Sequence, residues 1–190
     1  MGMTAEAKSS YHHGDLHKAL LHSARTLLER DGIGSLKLRA ITRHAGVSAT
    51  AAVPHFGNLT GLLSALAAQG FDELAAAMSP EHTRTPQDMG LAYVRFAIDN
   101  PSLFTLMFRS DAVNPDNAAL AAASTRAFDR LITLTVNKTH SDVPHEAAMA
   151  ALWAKVHGLA VLAIDGLLLP LTRYNGKEGS LDDLISKALS

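Results

Sequence analysis

Residues 37–55, KLRAITRHAGVSATAAVPH, hold the pattern on which the architecture turns. Leu38, Ile41 and Ala45 recur at helical spacing and predict a short helix from about Lys37 to Ala45. Gly46-Val47-Ser48 breaks it, and Ser48 is a suitable cap for a further helix from about Ala49 to His55. Two short helices joined by a three- or four-residue turn containing glycine form a helix-turn-helix. Gly46 permits the positive backbone angle of such a turn. Val47 can fill the crevice between the helices, and Ala45, Ala51 and Ala52 are small enough for close approach. The second helix of such a pair lies in the DNA major groove, with its N-terminal residues toward base edges.

Outward from this core the chain reads as helix nearly throughout. Upstream, Asp15 can cap a helix whose stripe is Leu16, Leu20, Ala24, Leu27 and Leu28, ended by Gly32 and Gly34. Downstream, Asn58 caps a fourth helix through Leu62, Leu63, Leu66 and Leu74. Ser79–Gln87, with Pro80 and Pro86, reads as a hinge. Further helices are predicted at about 87–99, 101–110, 116–138, 144–169 and 181–189. Pro101, Pro115 and Pro144 each stand where a first-turn proline is tolerated. Asn175-Gly176 and Gly179-Ser180 mark the last loop. The fold class is all-α: a three-helix DNA-binding unit at 1–58, a connecting helix at 59–78, and a helical ligand-binding and dimerisation domain at 79–190.

The 190 residues are 47% hydrophobic, enough to bury a core. Without cysteine there is no disulfide, thiolate metal site or cysteine nucleophile. Residues 1–60 carry seven Lys/Arg against four Asp/Glu, so a net −1 divides into +3 there and −4 beyond. That asymmetry points to a DNA-facing end. Met1–Asp15 is polar, and the longest apolar run, Gly158–Leu171, is interrupted by Asp165. A membrane span needs roughly 20 apolar residues, so a soluble cytoplasmic protein without membrane contact is expected. No GxSxG elbow, P-loop, GxGxxG or HExxH is present, and no enzyme is expected. Neither a metal nor a cofactor is expected: the adjacent His12 and His13 make a poor metal site without further ligands.

Residues Tyr11-His12-His13-Gly14-Asp15-Leu16, Ala24, Gly32, Ser35–Ile41, Ala45-Gly46-Val47-Ser48, His55-Phe56 and Leu62-Leu63 resemble the N-terminal domain of the TetR (tetracycline-repressor-like) family. Trp153, His157 and Gly158 resemble the Trp-x-x-x-His-Gly motif of one large branch. The resemblance implies a homodimer on double-stranded operator DNA, with half-sites roughly one DNA turn (~34 Å) or more apart. It also implies repression relieved by a small molecule in the C-terminal domain. The sequence departs from the family in two places. The family usually has a tyrosine two or three residues before His55-Phe56, where this chain has Ala52, Val53 and Pro54. It usually has a lysine just inside the fourth helix, where this chain has Leu59 and Thr60. In the family both side chains typically contact phosphates, which carry sequence-independent affinity. Pro54 also disfavours helix at Val53. These departures motivate an alternative: a ligand-binding or interaction protein on the same scaffold with weakened or lost operator binding.

The candidate DNA contacts are Lys37, Arg39, Thr42, Arg43, Ser48, Ala49, Thr50 and His55. Thr50 is the polar side chain best placed for base edges, and Lys37 and Arg39 for phosphates. A plain solvated surface is the competing reading. Lys8, Tyr11, His12 and His13 form either a groove-following arm or a local tail. The candidate ligand contacts are Phe96, Phe104, Met107, Phe108, Met149, Trp153 and His157, with Tyr93 in the same cluster. Such residues build adaptable apolar pockets for a small apolar or amphipathic effector, and the same spacing also builds ordinary core. Trp153 and His157 share a helix face, and His157 either orients a ligand's polar group or ties two helices together. The helices at 116–138 and 144–169 are the expected dimer surface, with Leu131, Leu134, Leu152, Leu159, Leu162 and Leu167 as contact residues.

Overall fold

The computed structural model describes residues 13–109, 111–133, 144–176 and 179–190, and every regular element among them is helical. The arm residues Lys8, Tyr11 and His12, and Leu134 with the rest of the expected helix end at 134–138, lie outside the described residues.

Helix α1 spans His13–Asp31 and buries Leu20, Ala24 and Leu28 completely, the stripe its spacing predicts. Gly32 (φ 74°) closes it, its N–H donating to the Leu28 carbonyl. A short 3-10 turn, Ile33–Ser35, leads to α2, Leu38–His44, which seats Ile41 in the core. Gly46 (φ 73°) reverses the chain as the motif requires. The second half of the motif departs from the single helix expected over 49–55. It is a 3-10 turn, Ala49–Ala52, running into a one-turn helix α3, Val53–Phe56. Pro54 supplies part of the reason: it has no N–H, and the first turn of a helix is where that loss removes no intrahelical bond. Val53 stays helical (φ −60°, ψ −45°), so Pro54 does not end the element. Ser48 flanks the turn without a side-chain cap bond; its hydroxyl pairs with that of Thr50 at 3.0 Å.

Helix α4, Leu59–Ala77, begins with Asn58 Oδ1 accepting the Gly61 N–H at 2.9 Å. A Cβ at Gly61 would lie 2.0 Å from the Phe56 carbonyl oxygen, so only glycine fits this start. One side of α4 meets α1 and α3, and it continues against α5, α6 and above all α7. It therefore belongs to both halves of the molecule. The expected hinge at 79–87 is a hydrogen-bonded turn. Thr83 is buried with its hydroxyl on the Met78 and Ser79 carbonyls, and Thr85 and Asp88 form a capping box.

Four helices complete the second half after α5, Pro86–Asp99: α6 Pro101–Met107, α7 Ala118–Ile132, α8 His145–Ile164 and α9 Leu181–Leu189. Pro115 lies in the loop before Asn117, the α7 cap, and Pro144 is itself the residue capping α8. Helix α8 stops five residues before the expected 169, because Gly166 (φ 71°) turns the chain into a 3-10 segment, Leu169–Gly176. The Asn175-Gly176 position read as loop closes that segment.

Candidate functional site

The first candidate surface is built on α2 and the turn after it. Lys37 flanks the start of α2, and Arg39 and Arg43 follow along it; all three are exposed and make no ion pair among the described residues. His44, which the sequence pattern did not single out, is exposed beside them. Thr42 is a correction: it is 2% exposed, and its hydroxyl donates to the Leu38 and Arg39 carbonyls, so it has nothing to offer DNA. A threonine one turn from its acceptor carbonyl satisfies itself locally, a behaviour that pattern alone does not reveal. Ser48 and Thr50 are exposed and Ala49 is half-buried. His55 is half-buried against α1, its ring 6.1 Å from that of His17 and 6.2 Å from that of Phe56. Burial first, and the His55 charge second, push the His17 pKa below its ordinary value. Val53, which the sequence marks only as a departure from the family, is 50% exposed on this surface.

The second candidate is a partly open cavity of about 450 Å³ lined by residues of α4, α5, α6, α7 and α8. Of the residues assigned to ligand contact, Met107, Phe108 and Trp153 line it. Phe71, Leu74, Val113, Leu120, Phe128 and Leu131 were missed. They sit at ordinary core spacing, and nothing in the sequence separates a wall from a core. No Asp, Glu, Lys or Arg is among the described lining residues.

Four predicted ligand residues lie elsewhere. Phe96 is buried beside a separate cleft holding Asp88, Arg95 and Asp99. Phe104 is 2% exposed and stacks on the His157 ring at 5.3 Å, so it is core behind the cavity wall. Met149 lines a crevice of about 10 Å³ with Leu152 and Trp153, too small for a ligand. His157 is not among the lining residues; it sits behind the wall, against Phe108 (ring centroids 4.5 Å), with the hydroxyl of the wall residue Tyr93 3.0 Å from its Nδ1. Burial pushes the Tyr93 phenol upward and the His157 imidazole downward, so both are neutral at pH 7. The pair is a neutral hydrogen bond between α5 and α8, the helix-tying reading of His157.

Between the two surfaces lies a polar junction. Arg25 of α1 bonds Asn100 Oδ1 at 2.6 Å and pairs with Glu29 at 3.3 Å and Glu73 of α4 at 3.4 Å. Glu29 in turn holds the first turn of α6, the helix whose far end supplies Met107 and Phe108 to the cavity.

A further feature is the outer side of α8. By length and composition alone this helix could cross a membrane (mean hydropathy 1.7), yet only 11% of its most apolar stretch is buried. Val161 and Leu162, with Leu167, Leu169 and Leu171 just beyond, stand exposed. Of the residues expected at a dimer surface, Leu162 and Leu167 are exposed and Leu152 and Leu159 half-buried. Leu131 is buried, because α7 turns its apolar side to α4.

This arrangement, an all-helical chain with an N-terminal helix-turn-helix and a hollow helical second half, defines a helical transcription regulator. Residues 20–66 match the family described as bacterial regulatory proteins, tetR family, and residues 87–186 match the tetracyclin repressor-like C-terminal domain. The chain belongs to the TetR family of transcriptional regulators. Among solved structures it is similar to a protein of unknown function from Rhodococcus sp. RHA1 (28% identity, TM-score 0.76, covering 96% of this chain and 95% of that one). It shares the fold of a TetR family regulator from Marinobacter aquaeolei VT8 (18%, TM-score 0.64, 92% and 91%). The same holds for the TetR family regulator PfmR from Thermus thermophilus (17%, TM-score 0.55, 90% and 94%). Comparison with curated proteins found no match.

Proposed function

We propose that this regulator is a cytoplasmic homodimeric repressor that binds operator DNA through α2 and the 49–56 segment and leaves it when a small apolar or amphipathic molecule fills the C-terminal cavity. The observation that carries the reading is α6. Its C-terminal residues Met107 and Phe108 wall the cavity, while its N-terminal amides are held by Glu29 of α1, against which the helix-turn-helix rests. A ligand that displaces the cavity end of α6 therefore acts on the seat of α1. Ligand and DNA then compete through one element, and the coupling is reciprocal.

The effector class follows from the lining. Burying an ion without a partner is costly, and the described wall offers five aromatic rings and no charge, so an uncharged ligand suits it. The DNA contacts we assign are Lys37, Arg39 and Arg43 to phosphate and Ser48, Ala49, Thr50 and His55 at or near the groove. Trp153, His157 and Gly158 stand together on α8, which supports assignment to the Trp-x-x-x-His-Gly branch. The bare apolar side of α8 is assigned to a second copy of the chain, and the protein acts by binding rather than catalysis. Pro54 by itself does not argue for weakened operator binding, because it sits in the first turn of α3, where its missing N–H removes no intrahelical bond.

The test is fluorescence anisotropy with purified protein and the intergenic DNA beside its own gene, at two salt concentrations. Saturable binding that outcompetes random DNA and weakens steeply with salt is the expected result. Binding no tighter than to random duplex overturns the reading.

A further inference from the structure

The recognition segment presents apolar atoms where a base-reading element commonly presents hydrogen-bonding groups. Val53 is the one large hydrophobic side chain that the described N-terminal residues leave exposed, at 50%. Pro54 is exposed beside it. The hydroxyls of Ser48 and Thr50 are bonded to each other, which commits one donor of the pair. The 3-10 geometry sets Thr50 and Val53 in line: the Val53 N–H bonds the Thr50 carbonyl, and residues three apart eclipse in such a turn. The side facing away from the core is thus a threonine followed by a valine and a proline.

The neighbouring helix α2, packed against the 49–52 turn, is cationic. Lys37, Arg39 and Arg43 on and beside α2 are exposed, with no ion pair among the described residues. Cations on α2, which packs against the 49–52 turn, select a polyanion, and an exposed apolar side chain on the neighbouring segment selects an apolar atom carried by that polyanion. In the major groove of DNA the thymine C5-methyl is the apolar group that distinguishes one base from the rest.

We propose that Val53, in line with Thr50, is a specificity-determining residue that selects thymine in each operator half-site by contact with its 5-methyl group. The proposal rests on the DNA-binding reading above and adds which base is read and by what. Val53 contributes no hydrogen bond, so its discrimination is the transfer of one methyl from water to an apolar contact, worth about fourfold in affinity.

The experiment uses the full-length protein and a pool of duplexes with a randomised core, from which the preferred site is selected. Each thymine of that site is then replaced singly by deoxyuridine, which keeps every hydrogen-bonding group and removes only the methyl. The expected result is at least one thymine per half-site whose replacement weakens binding about fourfold. Val53→Ala is expected to bind the thymine and uridine duplexes equally at that position. Its melting temperature should be unchanged, because the side chain is exposed. Equal binding of thymine and uridine at every position by the unaltered protein overturns the proposal while leaving the DNA-binding reading intact. A thymine preference that survives in Val53→Ala overturns the assignment to Val53. Failure of the pool to yield any enriched sequence overturns the proposal together with the reading beneath it.

Discussion

The carboxylate of Glu29, on α1, accepts the backbone N–H groups of Ser102 and Leu103 at 3.3 and 3.2 Å, so a residue of the DNA-binding half caps a helix of the ligand-binding half. The first amides of a helix have no partner of their own, and a side-chain acceptor there contributes about 1 kcal/mol. Glu29→Ala is expected to lower the melting temperature by about 2–4 °C. Glu29→Gln, which keeps an acceptor but loses the Arg25 pairing, should fall between the two. Thermal melts of the three proteins give the answer, and an unchanged Glu29→Ala curve would remove any role for this junction in stability.

The exposed cations predict a graded response. Arg39→Ala should weaken binding to all duplexes alike and flatten the dependence of log K on log salt by about one unit for each phosphate no longer neutralised. Thr50→Ala should alter base preference while leaving that slope in place. Thr42→Ser, altering a buried and self-satisfied hydroxyl residue, should change neither. Anisotropy titrations across salt separate the three patterns.

The Tyr93–His157 pair predicts a pH effect with a definite sign. Burial lowers the folded-state pKa of His157 below its ordinary 6.5, so the unfolded chain takes up its proton first as pH falls. The stability from this group is fully present above about pH 6.5 and is lost as pH falls from there through the lowered folded-state value. His157→Gln can still hydrogen-bond the Tyr93 hydroxyl without titrating. It should show a shallower loss of melting temperature between pH 7 and pH 5.5 than the unaltered protein. Parallel slopes would mean that other groups, His17 among them, carry the acid sensitivity.

The cavity predicts uptake of an uncharged dye. Nile red should bind saturably with enhanced fluorescence, and Ala121→Phe, which adds a ring at a lining position, should weaken that binding at least tenfold. Equal binding by both proteins would place the dye elsewhere.

For the outer side of α8, Leu162→Glu introduces charge at an exposed position that no intrachain packing needs. It is expected to convert a dimer to a monomer by size-exclusion chromatography with light scattering, with helicity retained by circular dichroism. A variant that remains dimeric would move the interface away from this face.

Much of the fold was legible because helix signals are local. Gly32, Gly46 and Asn58 mark a helix end, the tight turn and a helix start by backbone and capping chemistry that needs no tertiary partner. The stripe Leu20, Ala24 and Leu28 likewise names its own buried face. The 49–56 segment was less legible, since apolar spacing over so short a stretch does not separate a 3-10 turn followed by a one-turn helix from one continuous helix. The cationic face of α2 was readable residue by residue except at Thr42, whose hydroxyl has a choice between groove and carbonyl that composition does not record.

By itself, the sequence determined an all-helical chain, the place and order of the helix-turn-helix, the basic surface on α2 and a cluster of aromatic and methionine residues in the second half. Only the tertiary structure decided which aromatics face a void. Phe104 and His157 stack into core, while Phe71 and Phe128 line the cavity with Trp153. The physical reason is that helical periodicity says a side chain leaves water but not what it meets, and a wall and a core share the same apolar stripe. The space left between five helices depends on how all of them pack at once, and no single helix encodes it.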